Sequence, residues 1–273
     1  MSEIITDRTI RTDKDKLINH WNCAFVSDIH LGSRGCQADV FSYFLDNNHF
    51  NKIYLVGDFF DGWRFRQSHY WNQSYTNSVL KLLQKSRKGG TKIIWIGGNH
   101  DDFLTPFLGG FGELIDIQRE DLYRSISGKS FVVLHGHQFD TITARWRRLA
   151  KSAAFLYDTM IVVNRWINYL RKKLRMRPWS MSKYIKTKAK NSVNVISGYE
   201  DAVSTYAARK KADGIITGHL HIPALEEKPH LLYFNTGDFI EDCTAILEDF
   251  NGKFLLVQYL NGTTTVVKEM SFS

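Results

Sequence analysis

Five short segments carry residues able to hold metal ions or move protons: Ser27-Asp28-Ile29-His30, Tyr54-Leu55-Val56-Gly57-Asp58, Gly98-Asn99-His100-Asp101, Leu134-His135-Gly136-His137 and Gly218-His219-Leu220-His221. Each closes a short apolar run. That is the pattern of a buried strand delivering its last residues to the C-terminal rim of an open α/β sheet, where such sheets place their chemistry. Singly, each has an ordinary explanation, since a rim aspartate caps turns and a lone histidine satisfies a core. Five polar clusters at five run ends are hard to assign to turns. Mixed carboxylate and imidazole donors are what a two-metal hydrolytic site needs, with one carboxylate shared by ions ~3.5–4 Å apart and open positions for water. Asp58, delivered by Tyr54-Leu55-Val56-Gly57, is the expected hub. Hard oxygen and nitrogen donors without thiolate suit two divalent ions, Mn²⁺ first, with Fe or Zn²⁺ as alternatives.

The elements that must position these residues follow from periodicity. Asn22–Val26 predicts a strand and Gln37–Asn48 a helix, with Val40, Phe41, Phe44 and Leu45 at helical spacing. Lys52–Val56 predicts a second strand, completing a β-loop-helix-β unit of neighbouring parallel strands. Tyr70–Lys88 predicts a helix stopped at Lys88-Gly89-Gly90, and Thr91–Ile96 a third strand. Asp121–Leu134 alternates around Ser127-Gly128 as a hairpin. Gly214–Thr217 gives another rim strand. Leu231–Phe234, Cys243–Leu247, Lys253–Tyr259 and Thr263–Lys268 form a strand-only tail, with tight turns at Asn251-Gly252 and Asn261-Gly262. The expected class is α/β with α+β character: two packed β-sheets flanked by helices. Residues 1–20 read as a polar lead-in and 21–273 as the domain, which contains a basic helical insert at about 141–197.

With 273 residues, 43% hydrophobic and 14% aromatic, the chain can bury a large core. Cys23, Cys36 and Cys243 are too scattered for a disulfide framework, which fits a reducing compartment. The first residues lack a signal-peptide core, and no apolar run reaches the ~18 to 20 residues of a membrane span, so a cytoplasmic location is expected. The net charge of +8 is unevenly spread. Between Thr141 and Lys190 there are 14 Lys or Arg against the single acid Asp158, and the remainder is net negative. One segment therefore holds the positive field, which points to an anionic partner.

In order along the chain, Asp-x-His, Gly-Asp, Gly-Asn-His-Asp, His-Gly-His and Gly-His-x-His resemble the signature of the calcineurin-like metallophosphoesterases over about Phe25 to Pro223. The resemblance implies a four-layer sandwich and a metal-bridging hydroxide that attacks phosphorus in line. One ion would be held by Asp28, His30, Asp58 and His221, and the other by Asp58, Asn99, His135 and His219, with Asp58 bridging. His100 would contact the phosphate or protonate the leaving oxygen, and Asp101 would orient it. His137 is left between pointing at substrate and stabilising its turn. Ser27–Arg34, Val56–Trp63 and Gly218–Ala224 resemble more narrowly the branch containing the UDP-2,3-diacylglucosamine pyrophosphatases of lipid A synthesis. That branch carries Arg where this chain has His100, so the substrate can differ.

The insert is independent evidence on substrate. Trp146, Leu149, Ala153, Leu156, Met160, Val163, Ile167, Leu170 and Leu174 follow 3,4 spacing, which predicts a long apolar-striped helix or a broken pair. Trp166 widens the stripe, while Arg145, Arg148, Arg171 and Lys172 are among the cations around it. A basic, Trp-bearing amphipathic helix reads as a membrane-surface element or a lid over lipid tails. Ser197-x-x-Glu200 predicts a capping box opening the helix that follows. The expected substrate is a nucleotide-diphosphate lipid, hydrolysed peripherally at the inner face of a bacterial cytoplasmic membrane. A nuclease or nucleotide phosphodiesterase is the alternative, because clustered cations with interleaved aromatics also suit a polyanion. A non-enzymatic interaction module is a third class, disfavoured by the completeness of the ligand set.

Overall fold

The computed structural model describes residues 9–10, 19–65, 70–109, 112–141, 193–260 and 262–272. The chain divides into two compact units, Met1–His137 with Tyr206–Ser273, and Gln138–Thr205.

The first unit contains two mixed sheets. In the larger, β1 (Thr9–Ile10), β2 (Asn19–Val26), β3 (Asn48–Val56), β4 (Lys92–Ile96) and β5 (Ile115–Gln118) combine with β11 (Thr244–Glu248), β12 (Phe254–Leu260) and β13 (Thr263–Met270) in the order β1-β13-β12-β11-β2-β3-β4-β5. Strands β2 to β5 are parallel, and β11 lies antiparallel on the other edge of β2. The smaller sheet holds β6 (Asp121–Arg124), β7 (Ser130–Val133), β8 (Gly214–Thr217), β9 (Ala224–Lys228) and β10 (Leu231–Asn235), ordered β6-β7-β8-β10-β9. Its three central strands are parallel and both edges antiparallel.

The apolar runs are continuous because both faces of the larger sheet are covered. Ala24, Val26, Ile53, Leu55, Ile93 and Trp95 face a cluster containing Phe41, Phe44 and Leu45 of α1 (Ala38–Asn47), and Tyr75 and Leu82 of a longer helix (Gln73–Gly89). That longer helix is α3, preceded by the single turn α2 (Gly62–Phe65). The alternate residues Cys23, Phe25, Tyr54, Val56, Ile94 and Ile96 share the inter-sheet core with Tyr123, Phe131, Val133, Ile216 and Phe234. Period-two alternation thus sorts one apolar string into two cores. Each fully buried Phe or Leu side chain contributes ~1.5–3 kcal/mol, and this interior is large enough to carry strain at the rim.

The expected α/β architecture of two packed sheets with helices is what forms, with adjustments at boundaries. Helix α3 starts at Gln73, not Tyr70, because the Asn72 side chain accepts from the Tyr75 N–H at 3.0 Å and caps it. Residues 224–228 form an edge strand missed in the sequence, its alternation masked by Glu226, Glu227 and Lys228. The lead-in supplies β1, which pairs Thr9 with Thr265. In the second unit, Phe139 packs edge-on against Tyr199, and helix α4 (Val193–Arg209) begins a turn before the expected capping box, so Ser197 lies within it. The lid residues Arg145, Arg148, Trp166, Ile167, Arg171 and Lys172 lie outside the described residues. Among the described residues no helix is long and apolar enough to cross a membrane.

Candidate metal centre

Each chemistry-bearing segment sits where a strand ends. Beyond β2 come Asp28 and His30, and beyond β3 comes Asp58. Beyond β4 come Asn99 and His100, beyond β7 His135, and beyond β8 His219 and His221. The backbone turns sharply there. Among the described residues seven non-glycine positions have φ in the left-handed region, and five of them are Asp28 (52°), His30 (51°), Asp58 (53°), His219 (64°) and His221 (53°). Such conformations cost ~1–3 kcal/mol each and gather at functional sites. Interlocking loops hold them: the Asp28 N–H donates to Gly57 O (3.1 Å), the His30 N–H to Asp58 O (2.9 Å) and the Gly218 N–H to His135 O (3.1 Å). Two glycines let the loops close. A Cβ at Gly57, where φ is +86°, would lie 2.3 Å from His135 Nδ1, and one at Gly98 would lie 2.1 Å from Asp58 Oδ1.

The side chains converge. Asp28, Asp58 and His135 present ligand atoms within 4.8 Å of one another, as do Asp28, His30 and His221, and again His30, Asp61 and His100. Asp58 Oδ2 lies 3.3 Å from His135 Nε2, 3.8 Å from His30 Nε2 and 3.9 Å from His100 Nε2. His221 Nε2 is 3.0 Å from Asp28 Oδ1. Yet Asp28 Oδ1, Asn99 Oδ1 and His135 Nε2 are buried atoms that make no hydrogen bond. Buried polar atoms are ordinarily bonded. The Asp28 and His135 atoms lie in one cluster with Asp58 without being satisfied by it, which fits divalent cations, and the oxygen and imidazole donor set agrees.

The electrostatics point the same way. Burial pushes Asp28 up, but the His221 and His135 imidazoles outweigh it and hold the carboxyl well below the usual carboxylate range. Asp58 behaves likewise, burial being outweighed chiefly by His135 and by His30. Conversely, burial pushes His135 down, while Asp58 and Asp28 carry it up to about 9; burial also lowers His221, which Asp28 and Asp238 raise to about 10. Protons on these imidazoles thus balance the carboxylates where cations would otherwise do so.

Three histidines are anchored through Nδ1. The Val56 carbonyl can only accept, so His135 Nδ1 donates to it (2.8 Å) and Nε2 is the nitrogen turned toward Asp58. His100 Nδ1 pairs with Asp61 Oδ1 (2.9 Å), and His221 Nδ1 faces Asp238 Oδ2 (3.2 Å). Trp63 of α2 stacks on the His100 ring at 3.9 Å, and His30 meets that ring edge-on at 4.7 Å.

The carboxylate beside His100 is therefore Asp61 and not, as expected, Asp101. Asp101 is buried and its oxygens accept the Phe59 N–H (3.1 Å), the Phe60 N–H (3.1 Å) and the Trp95 indole N–H (3.2 Å). These bonds tie it to the Asp58 loop. Asn99 sits at the same junction, where the next residue, His100, donates its N–H to Asp58 Oδ1 (2.8 Å). His219 donates its backbone N–H to Asp28 Oδ2 (2.9 Å), and its ring lies 5.1 Å from that of His135. His137 stands on the same flank, 5.5 Å from His135 between ring centres.

Sequence reasoning passed over Asp61 and Asp238. Both had a signal: Asp61 lies three residues beyond the hub, and Asn235-Thr236-Gly237-Asp238 repeats the apolar strand, Gly, Asp pattern of Gly57-Asp58.

Comparison with known proteins places this geometry in context. The calcineurin-like phosphoesterase profile matches residues 22–223. The UDP-2,3-diacylglucosamine hydrolase of Serratia proteamaculans is 26% identical over 215 residues, 76% of this chain and 84% of that one. That of Shewanella loihica is 27% identical over 213 residues, 73% and 80% of the two chains. Among solved structures, a Vps29 single mutant from Entamoeba histolytica aligns with a TM-score of 0.48 at 12% identity, covering 92% of this chain and 99% of its own. The E. coli phosphoesterase Yfce aligns at 0.45 and 13%, covering 92% and 99%.

Proposed function

Because this chain belongs to the calcineurin-like phosphoesterase family and is a metal-dependent phosphoester hydrolase, we propose that its substrate is a nucleotide-diphosphate lipid of the UDP-2,3-diacylglucosamine kind. The observation that carries the chemistry is the pair of buried, unbonded donor atoms on Asp28 and His135, two residues that cluster with Asp58, beside a third such atom on Asn99 in the segment after β4. Asp28, His30, Asp58 and His221 would hold one divalent ion and Asp58, Asn99, His135 and His219 the other. When bound, such ions acidify water and withdraw charge from the phosphoryl oxygens.

The protein's own share is positioning. Asp61 fixes His100 so that its Nε2 points toward the cluster, 3.9 Å from Asp58 Oδ2. From there His100 donates a proton to the departing oxygen or binds the phosphate. Trp63 covers the other face of the imidazole and limits its rotation. Asp101 keeps the Asp58 loop in shape through its three acceptor contacts. Water is kept from the back of the site by Ile29, Leu31, Phe59 and Phe239, all buried.

Similarity to the UDP-2,3-diacylglucosamine hydrolases at 26–27% identity supports the lipid substrate, as does the apolar, cationic character of residues 141–190. An apolar stripe would be idle on a nucleic acid, whereas it suits acyl chains at the inner face of a bacterial membrane. The test compares UDP-diacylglucosamine with short-chain and deacylated analogues and with single-stranded and duplex oligonucleotides, at low and high salt. Acyl burial adds ~0.8 kcal/mol per CH₂ and survives salt, while phosphate-backbone binding falls log-linearly with it. Rate should therefore decline with chain length even at high salt. Equal cleavage of the deacylated analogue, or a better oligonucleotide substrate, refutes the lipid assignment and leaves the phosphoesterase chemistry. Asp58→Ala should abolish hydrolysis of bis-p-nitrophenyl phosphate at saturating Mn²⁺.

A further inference from the structure

We propose that Asp238 is a positioning residue that fixes which nitrogen of His221 faces the metal-binding cluster, and thereby sets the affinity for the ion on the Asp28 side. The inference rests on the dinuclear reading above.

Asp238 is fully buried just beyond β10. Its two oxygens have different work. Oδ1 accepts from the Ile240 N–H (2.9 Å), the Glu241 N–H (2.6 Å) and the Asp242 N–H (3.1 Å), so the backbone of the following turn fixes the plane of the carboxylate. Oδ2 faces His221 Nδ1 at 3.2 Å. A carboxylate oxygen has no proton to give, so the ion-pair contact keeps a proton on Nδ1, and Nε2, 3.0 Å from Asp28 Oδ1, is the nitrogen that would face an ion once its own proton is released. An imidazole ligates a metal through an unprotonated nitrogen, and a carboxylate on the other nitrogen fixes the tautomer and raises ligand basicity.

The loop is also fastened to the Asp28 segment. The Phe239 N–H donates to Asp28 O (3.2 Å), and the Thr244 N–H donates to Asp238 O (3.0 Å). A carboxylate needed only to cap the turn would need Oδ1 alone. The second oxygen, aimed at a histidine that reaches Asp28, is what the capping role leaves over. His135 solves the same problem with the Val56 carbonyl, which no side-chain substitution removes. For His221 the anchor is a side chain, so it can be tested.

The informative variant is Asp238→Asn. Its amide oxygen can keep the three backbone donors, while its NH₂ group, set against Nδ1, selects the opposite tautomer and puts the proton on Nε2. Titration of the metal-stripped full-length protein with Mn²⁺ should show two binding events in the wild type. In the variant, one should weaken ~10–100-fold, the usual consequence of losing such a partner, with the other unchanged and the melting temperature of the metal-free protein preserved. Asp238→Ala should lose both the affinity and part of the stability. Two wild-type binding events in Asp238→Asn overturn the inference and leave Asp238 a turn cap. Absence of Mn²⁺ binding by the wild type overturns the dinuclear reading, and this inference with it. Should the variants fail to fold, ¹⁵N-histidine spectra of the Zn²⁺-loaded wild type decide, the His221 signals being assigned by their loss in His221→Gln. A protonated Nδ1 with a metallated Nε2 is expected, and the reverse pattern overturns the proposal.

Discussion

Two buried carboxylates flank His100 in sequence or space, and replacing each by alanine should produce opposite kinds of damage. Asp61→Ala removes one charge-assisted contact, Asp61 Oδ1 to His100 Nδ1 at 2.9 Å, together with the Arg64 N–H bond at 3.1 Å. A hydrogen bond to a charged group contributes about 1.5–3 kcal/mol. At about 1.4 kcal/mol per decade, a fully expressed loss slows hydrolysis roughly 10- to 100-fold. Asp101→Ala instead strands three donors, the Phe59 and Phe60 N–H groups and the Trp95 indole. Each stranded donor costs about 1–3 kcal/mol, so the sum is roughly 3–9 kcal/mol, nearer the low end where water enters. That is a large part of the ~5–15 kcal/mol by which a typical domain is stable. Asp101→Ala should therefore be seen first in urea unfolding of the metal-free protein, while Asp61→Ala, which leaves the Arg64 N–H its bond to the Asp61 carbonyl, should lose no more than about 1.5–3 kcal/mol. The kinetic arm uses aryl phosphodiesters with good and poor leaving groups at saturating Mn²⁺. Asp61→Ala should lose more rate on the poor leaving group. If Asp101→Ala proves as stable as wild type yet shows that leaving-group dependence, and Asp61→Ala does not, then the orienting carboxylate is Asp101 and the assignment made from the geometry is wrong.

Further outcomes follow from the same site. His100→Ala should retain both metals and lose rate by ~10²–10⁴-fold, as for a positioned proton donor; equal losses on good and poor leaving groups would make it a binding group. Gly98→Ala, whose Cβ would lie 2.1 Å from Asp58 Oδ1, should weaken Mn²⁺ binding more than Gly109→Ala, which meets nothing within 4 Å, and equal affinities would refute the close-approach argument. With His135 at about 9 and His221 at about 10 in the metal-free protein, Mn²⁺ binding at pH 7 should release roughly two protons, read from the dependence of binding heat on buffer ionisation, and a buffer-independent heat contradicts this. The sign for stability follows from the same raised values. Their contribution to the metal-free protein is complete below the unfolded histidine value near ~6.5 and disappears as pH climbs through about 9 and 10, so alkaline pH should lower its urea midpoint.

Most of the larger sheet was legible because its strands are buried on both faces, and a run such as Ile53–Val56 has no other economical reading. The proposed ligands could be picked out for a related reason, since each stands shortly after such a run. What escaped notice was set by contacts distant in sequence. Glu226 and Glu227 hide β9 because one side of an edge strand is polar, and β1 exists only because β13 offers it an edge. Asp61 and Asp101 could not be told apart from spacing. Both lie near His100 along the folded chain, and the choice depends on which backbone N–H groups the Asp58 loop leaves unsatisfied. Asp238, 180 residues downstream of Asp58, announced itself by the same Gly-Asp step, but nothing in that step says which histidine it meets.

The position of β2 has a consequence for biosynthesis. This strand, which leads into Asp28 and His30, pairs on one side with β3, its immediate successor in the parallel sheet, and on the other with β11, through Phe25 and Ile246. On a ribosome more than 200 residues separate the emergence of those two strands. Throughout that interval a nascent chain displays the open edge of Cys23–Phe25, apolar and ready to pair with whatever strand arrives. The chain should therefore depend on holdase chaperones until its last hairpins are made. A ribosome-stalled product ending before Thr244 should aggregate on release, although it already contains every proposed ligand of both ions.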